Sequence, residues 1–412
     1  MKAVVFTLGC KVNECESDSL IAGLIKKGYE VSDKLVFADL YIVNTCAVTA
    51  EAEKKSRQMS SRIKRLNPKA KIIFTGCATE KSCDDFAKKS NEYLVTGVFN
   101  KNKILDLLDD SGVQISPPCA DFEELNTVKT LKTRTYVKVQ DGCNNFCSYC
   151  IIPYLRGRTR SRNPRSVREE IILTNPKEAV INGINLSAYD YNGKNLTALM
   201  QELTDLPCRI RLGSLEINVI DDEFLRALKN LKDFAPHFHL SLQSGSNEVL
   251  KKMNRHYTAS EYLNKVELIR KYFPDAGITT DIIVGFPTET ERNFNETMEL
   301  VDKVKFSDIH PFIFSPRKGT IAYKMKDLQP EIKQARQNKL MEKKQQVKSE
   351  FINKMIGTEQ DFLFEEVKDG LAEGYSGNYV RIYVEDFFDN GKIQKVKLLK
   401  PYKDGAIAKI IK

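Results

Sequence analysis

Short apolar runs alternate with amphipathic helical patterns along most of this 412-residue chain, and that alternation limits its fold more than any other feature. The first runs are residues 3–8, 40–43, 71–75 and 93–95. Between them, Leu20, Ile21, Leu24 and Ile25 mark one helical face, and Met59, Ile63 and Leu66 another. Strands separated by helices build a parallel sheet with crossover connections. An N-terminal parallel α/β domain is therefore expected over residues 1–116. Pro117, Pro118 and the acidic stretch 121–124 predict a linker over 117–133. The alternation then restarts at residues 135–139, 178–181, 209–215, 237–242, 278–284 and 309–314, with helices such as 260–272 and 290–304 between. Six β/α units predict a partial (β/α)6 barrel over 134–345, with its chemistry at the C-terminal strand ends. Residues 333–350 read as a charged, solvated helix bridging two domains. The remainder, 346–412, has short strands split by Gly and Asn, the pattern of a small antiparallel β-barrel of OB-like type.

The cysteines fall on this framework in two sets. VVFTLGC, YIVNTC and IIFTGC end in Cys10, Cys46 and Cys77, each just past a predicted strand. In an open parallel sheet those ends share one edge, where ligands bind. Free cysteine also packs well in cores, but three at equivalent places favour a shared site. No histidine precedes His237, which excludes a mixed Cys/His zinc site within this domain. Cys15, Cys83, Cys119 and Cys208 lack the pattern and read as ordinary thiols. The second set, Cys143, Cys147 and Cys150, has C-x3-C-x2-C spacing directly after the first barrel strand. Three thiolates on a four-iron cluster leave one iron open, whereas electron carriers close the site with four. Structural zinc would want a fourth local ligand. Ten cysteines suit a reducing compartment better as ligands than as disulfides. The N-terminus has no signal-peptide layout and no run of about 18 apolar residues occurs, so a cytoplasmic protein without a membrane span is expected.

An open-iron cluster on a partial barrel suits S-adenosylmethionine, whose amino and carboxylate groups can occupy the open position. One electron into its sulfonium then breaks a carbon–sulfur bond, while the protein orients the reactants. Candidate contacts recur at strand ends: Gly183, Ser214, Glu216, Gln243, Asp281, Gly285 and Phe286. RGRTRSRNPRSVR, after the cysteine run, places Arg156, Arg158, Arg160 and Arg162 among six arginines with no acid between. Guanidinium groups suit phosphate, and the formal charge of +9 favours an anionic partner. A solvated basic loop is the plainer reading of that run.

TLGCKVN, VNTC, TGC, GCNNFCSYC, HLSLQSGS, DIIVGFP and EGYSGNYVRIYV together resemble the radical S-adenosylmethionine methylthiotransferases over nearly the full length. LGCKVN and GRTRSR most resemble the branch that modifies threonylcarbamoyladenosine in tRNA. The resemblance implies three parts: an auxiliary-cluster domain, a radical barrel and a C-terminal TRAM domain. It implies two 4Fe–4S clusters. One, on Cys143, Cys147 and Cys150, would cleave S-adenosylmethionine, with Tyr149 among the cofactor contacts. The other, on Cys10, Cys46 and Cys77, would carry the sulfur that is methylated and passed to C2 of the adenine at tRNA position 37. The anticodon stem-loop, an electron donor such as flavodoxin or ferredoxin, and a sulfur source are the implied partners. Related branches act on isopentenyladenosine or on an aspartate of a ribosomal protein. A non-enzymatic, zinc-dependent RNA-binding protein is the alternative of a different class. Gly213, Asn218 and Thr288 depart from the family's usual Ser, Pro and Gly.

Overall fold

The computed structural model describes residues 1–90, 92–125, 133–385 and 391–411, so residues 126–132 of the expected linker lie outside the described residues. The first sheet has six parallel strands in the order Glu30–Ser32, Lys2–Thr7, Leu40–Thr45, Lys71–Gly76, Leu94–Thr96, Gly112–Gln114. The two edge strands were not anticipated, because EVS and GVQ are at most half-buried and carry one valine each, unlike the equally short but more apolar and buried Leu94–Thr96. Ala3, Val5, Leu40 and Ile42 face the helix Lys11–Lys26 through Leu20, Ile21 and Leu24. Val4, Tyr41 and Val43 face the helix Ala50–Leu66 through Met59 and Ile63. Cover on both faces explains why these strands are apolar throughout instead of alternating.

The second unit splits into two four-stranded sheets. One orders Arg209–Leu212, Glu178–Gly183, Arg134–Asp141 and the short antiparallel strand Arg160–Ser161. The other orders Ser214–Leu215, His237–Leu240, Gly277–Val284 and Asp308–Ile313, all parallel. The single strand expected at 209–215 therefore breaks at Gly213. A Cβ there would stand 2.7 Å from Asn182 Oδ1 and 3.1 Å from the Ile181 carbonyl, so the backbone closes on its neighbour only as glycine. Six β/α units thus form the partial barrel. Its outer strand face (Val137, Ile181, Leu212, Leu240, Ile282) is sealed by helices. By strand alternation the opposite face is polar, with Lys138, Glu178, Arg211, His239 and Asp281. The N-terminal helix Lys11–Lys26 lies against that polar face, with Glu16 3.1 Å from Lys138 Nζ.

The C-terminal strands Glu359–Lys368, Leu371–Tyr375, Arg381–Val384, Gly405–Ile410 and Gln394–Tyr402 close into a five-stranded barrel. One neighbouring pair, Arg381–Val384 with Gly405–Ile410, is parallel, correcting the all-antiparallel expectation. An odd number of strands cannot alternate direction all the way round a closed ring. The bridging helix spans Pro330–Met355 and is not simply solvated. Leu340 and Val347 join the core of the partial barrel, and Ile352 and Met355 join the core of the small one. Among the described residues no helix is long and apolar enough to cross a membrane.

Candidate active site

Cys10, Cys46 and Cys77 follow three adjacent parallel strands at the same edge. Strand order reverses between Lys2–Thr7 and Leu40–Thr45, which makes the gap between Cys10 and Cys46 the switch point where such sheets bind ligands. Cys10 caps the helix Lys11–Lys26, and Cys77 starts the turn Cys77–Lys81. Gly9, at φ +108°, leaves room for Cys46; a Cβ on it would stand 2.8 Å from the Cys46 Sγ. Burial pushes the Cys46 thiol up to about 12, and Cys77 and Cys10 add to the rise. Burial raises Cys77 as well, opposed by the Arg156 guanidinium beside it. Thiols this resistant to ionisation become thiolates when a metal takes the charge.

Cys143, Cys147 and Cys150 occupy the loop after Arg134–Asp141. Hydrogen-bond donors surround their sulfurs. The Asn145 amide donates to Cys143 Sγ at 3.5 Å, Asn185 Nδ2 to the same sulfur at 3.7 Å, and Arg255 Nη1 to Cys147 Sγ at 3.5 Å. Burial pushes Cys150 up to about 12, with Cys147 and Cys143 adding to the rise. Arg255 also pairs with Glu216 at 2.7 Å and lies over the Tyr257 ring at 5.0 Å. A cleft of about 300 Å³ opens there, lined by Asn145, Glu216, Asn218, Asn254, Arg255 and Tyr257. Sequence reasoning missed Arg255: an isolated arginine in a charged loop has no local signal, and only folding sets it against Cys147.

The radical SAM superfamily profile matches residues 137–301, and that of an uncharacterized protein family, UPF0004, matches residues 2–97. A threonylcarbamoyladenosine tRNA methylthiotransferase MtaB of Thermotoga maritima is 39% identical, over 99% of this chain and 97% of its own length. The Bacillus subtilis protein of the same name is 35% identical over 100% of this chain and 97% of its own. The chain belongs to the radical S-adenosylmethionine methylthiotransferases. Among its relatives it most resembles the threonylcarbamoyladenosine branch. In fold it resembles the radical S-adenosylmethionine methyltransferase TsrM from Kitasatospora setae, with a TM-score of 0.53 and 15% identity over 76% of this chain and 74% of that one.

A radical S-adenosylmethionine enzyme works with a 4Fe–4S cluster and S-adenosylmethionine. The donors present fit such a cluster: three thiols in each set, N–H groups directed at sulfur, and space beside Gly9 that a side chain would fill. Among the described residues no three Cys, His, Asp or Glu side chains converge tightly enough for a single ion. A four-iron cluster spreads its thiolates over separate irons and needs no such convergence.

The methylthiotransferase frame places the other anticipated residues as follows. Glu216 is held by Arg255 and by Asn145 Nδ2 at 2.8 Å. Gln243 sits at φ +70°, its amide donating to the Asp281 carbonyl at 2.9 Å. The Asp281 carboxylate lies 3.3 Å from His239 Nε2. Ser214 is exposed, and Tyr149 packs against the small apolar cluster that contains Phe286 and Phe314. Gly183 approaches Gln140 so closely that a Cβ would stand 2.9 Å from its Oε1. The Gly285 amide donates to the Glu289 carboxylate, the Glu289 amide donates to the Phe286 carbonyl at 2.9 Å, and the Phe286 ring is buried against Phe314. The Gly285 amide is therefore already engaged within the protein.

The arginine run needs a larger correction. Arg156 is fully buried, bonded to Glu16, Asp141 and Asn13. Arg162 is buried against Glu170, Glu124 and Ser166. The Arg160 side chain is nearly buried, donating to the carbonyls of Arg156 and Arg158 at 2.9 Å. Guanidiniums committed to carboxylates and carbonyls inside the protein cannot reach a tRNA phosphate. Only Arg158 of the four is exposed, over the Phe146 ring at 4.8 Å.

Proposed function

We propose that this chain is a tRNA methylthiotransferase that inserts a methylthio group at C2 of N6-threonylcarbamoyladenosine, at tRNA position 37. The observation that carries the reading is the pair of cysteine triads, one at the switch point of the N-terminal sheet and one at the barrel mouth, linked by the helix Lys11–Lys26 and Arg156. The names borne by the most similar relatives point to the same substrate. In this reading Cys143, Cys147 and Cys150 hold the cluster that reduces S-adenosylmethionine, and Cys10, Cys46 and Cys77 hold a second that supplies sulfur. Arg255, Glu216 and Asn145 line the cofactor side. The polar inner wall, with Asp281 and His239, faces the substrate base and keeps it from bulk water. Arg158 on Phe146, with exposed Tyr154 edge-on at 5.5 Å, forms the RNA-facing rim, helped by the C-terminal barrel.

Anaerobic reconstitution followed by iron, sulfide and Mössbauer measurement tests the two-site reading, with about eight irons per chain expected for two four-iron clusters. Cys147→Ala is expected to abolish deoxyadenosine formation. Cys46→Ala is expected to retain it without inserting sulfur. Methylthiolation by the Cys46 variant would remove the sulfur-donor assignment. Modification of tRNA that lacks the threonylcarbamoyl group would move the chain to another branch.

A further inference from the structure

Arg156 follows the second cysteine triad in the chain, yet its guanidinium lies among residues of the N-terminal sheet. Nη2 donates to Asn13 Oδ1 at 2.8 Å, and Nη1 to Glu16 Oε1 at 2.8 Å. Asp141, from its own domain, accepts from Nη1 at 3.2 Å. Asn13 in turn donates to the carbonyls of Leu8 and Thr45 at 2.7 and 3.1 Å, in the segments that lead into Cys10 and Cys46. The Asn13 Oδ1 is 4.0 Å from Cys10 Sγ. The guanidinium also lies beside Cys77. One buried cation thus reaches the setting of all three N-terminal cysteines.

Its remaining donor is unused. Arg156 Nε is buried and has no acceptor among the described residues. A buried donor left unpaired costs about 1–3 kcal/mol, a cost that an acceptor bound at the site would remove. The Cys77 thiol beside the guanidinium points to sulfur as the chemistry of that group.

We propose that Arg156 is a positioning residue that fixes the two cysteine triads in one chamber and donates its Nε–H to sulfur of the cluster held by Cys10, Cys46 and Cys77. This rests on the two-cluster reading above. If Arg156 served only as an ion-pair partner of Glu16, a lysine that kept the charge would leave the potential of that cluster unchanged.

The test uses the full chain, reconstituted without air. In a Cys143→Ala, Cys147→Ala, Cys150→Ala background only the N-terminal cluster remains, and its midpoint potential is read alone. Arg156→Lys keeps the charge but not the planar fork. Hydrogen bonds to cluster sulfur raise the potential, so the variant is expected to retain iron and to shift to a more negative potential. With both triads intact, Arg156→Lys is expected to yield roughly tenfold less methylthiolated tRNA per deoxyadenosine, because misplacement of the sulfur uncouples the two steps. Full iron with an unchanged potential would overturn the proposal. If the Lys variant does not fold, Arg156→Gln combined with Glu16→Gln removes both charges together, and the same two readings decide. Wild-type protein with about four irons would overturn the two-cluster reading itself, whereas an unchanged potential in the variant overturns only the role of Arg156.

Discussion

Gly142 and Arg158 meet backbone to backbone: a Cβ on Gly142 would stand 2.0 Å from the Arg158 carbonyl oxygen. Gly142 also holds φ +71°, and the next amide, that of Cys143, donates to the Gly157 carbonyl at 3.1 Å. The chain that leaves the barrel strand and the chain that returns after the cysteines are therefore clamped together. This clamp sets the width of the loop that carries Cys143, Cys147 and Cys150.

Gly142→Ala is expected to break that clamp. Strain at such a position costs of order 1–3 kcal/mol, and the steric overlap adds to it. Iron per reconstituted chain should fall from about eight to about four, with deoxyadenosine formation lost. Iron analysis beside a urea melt checks both effects.

Arg255→Lys is expected to keep iron near the wild-type level and to slow deoxyadenosine formation by at least about tenfold. The guanidinium bonds Cys147 and Glu216 and stacks on Tyr257 at once, which a lysine ammonium cannot reproduce. Product quantification normalised to iron separates cofactor positioning from cluster loss.

Glu178 is the buried carboxylate that three guanidiniums share: Nε of Arg134 and Arg209 at 2.6 Å, and of Arg211 at 2.8 Å. Despite burial, these cations hold its carboxyl well below the usual range. The unfolded value is about 4.3, so this stabilisation is complete above that pH and is lost as pH falls toward the lower native value. Glu178→Gln should cost about 3–5 kcal/mol at neutral pH, because buried Arg209 and Arg211 lose the carboxylate they pair with, while Arg134 keeps Glu365. The variant should also show a shallower acid limb in urea unfolding followed against pH.

Thr288 stands on the surface at φ +74°, in the backbone region that favours glycine. A β-branched residue in that region is strained by roughly 1–2 kcal/mol. After the greater unfolded-state entropy of glycine is subtracted, Thr288→Gly is expected to stabilise the protein by about 0.5–1 kcal/mol. The urea midpoint reports it, and activity should be unchanged.

What the sequence determined by itself was local in origin. Alternating apolar runs are enough to require parallel sheets, because a strand covered on both faces and a crossover helix each leave their own period. The cysteines after residues 3–8, 40–43 and 71–75 were legible for the same reason, since parallel strands bring their C-terminal ends to one edge. The edge strands Glu30–Ser32 and Gly112–Gln114, with one valine each and little burial, left no apolar run to read. The arginines show where such reading stops. Arg156, Arg158, Arg160 and Arg162 are alike in sequence, each an arginine without neighbouring acids. Tertiary structure alone separates them, because the carboxylates that draw Arg156 inward include Glu16, 140 positions away in the chain. Burying a charge is tolerable only where distant segments supply its counter-charge, and no local pattern encodes that meeting.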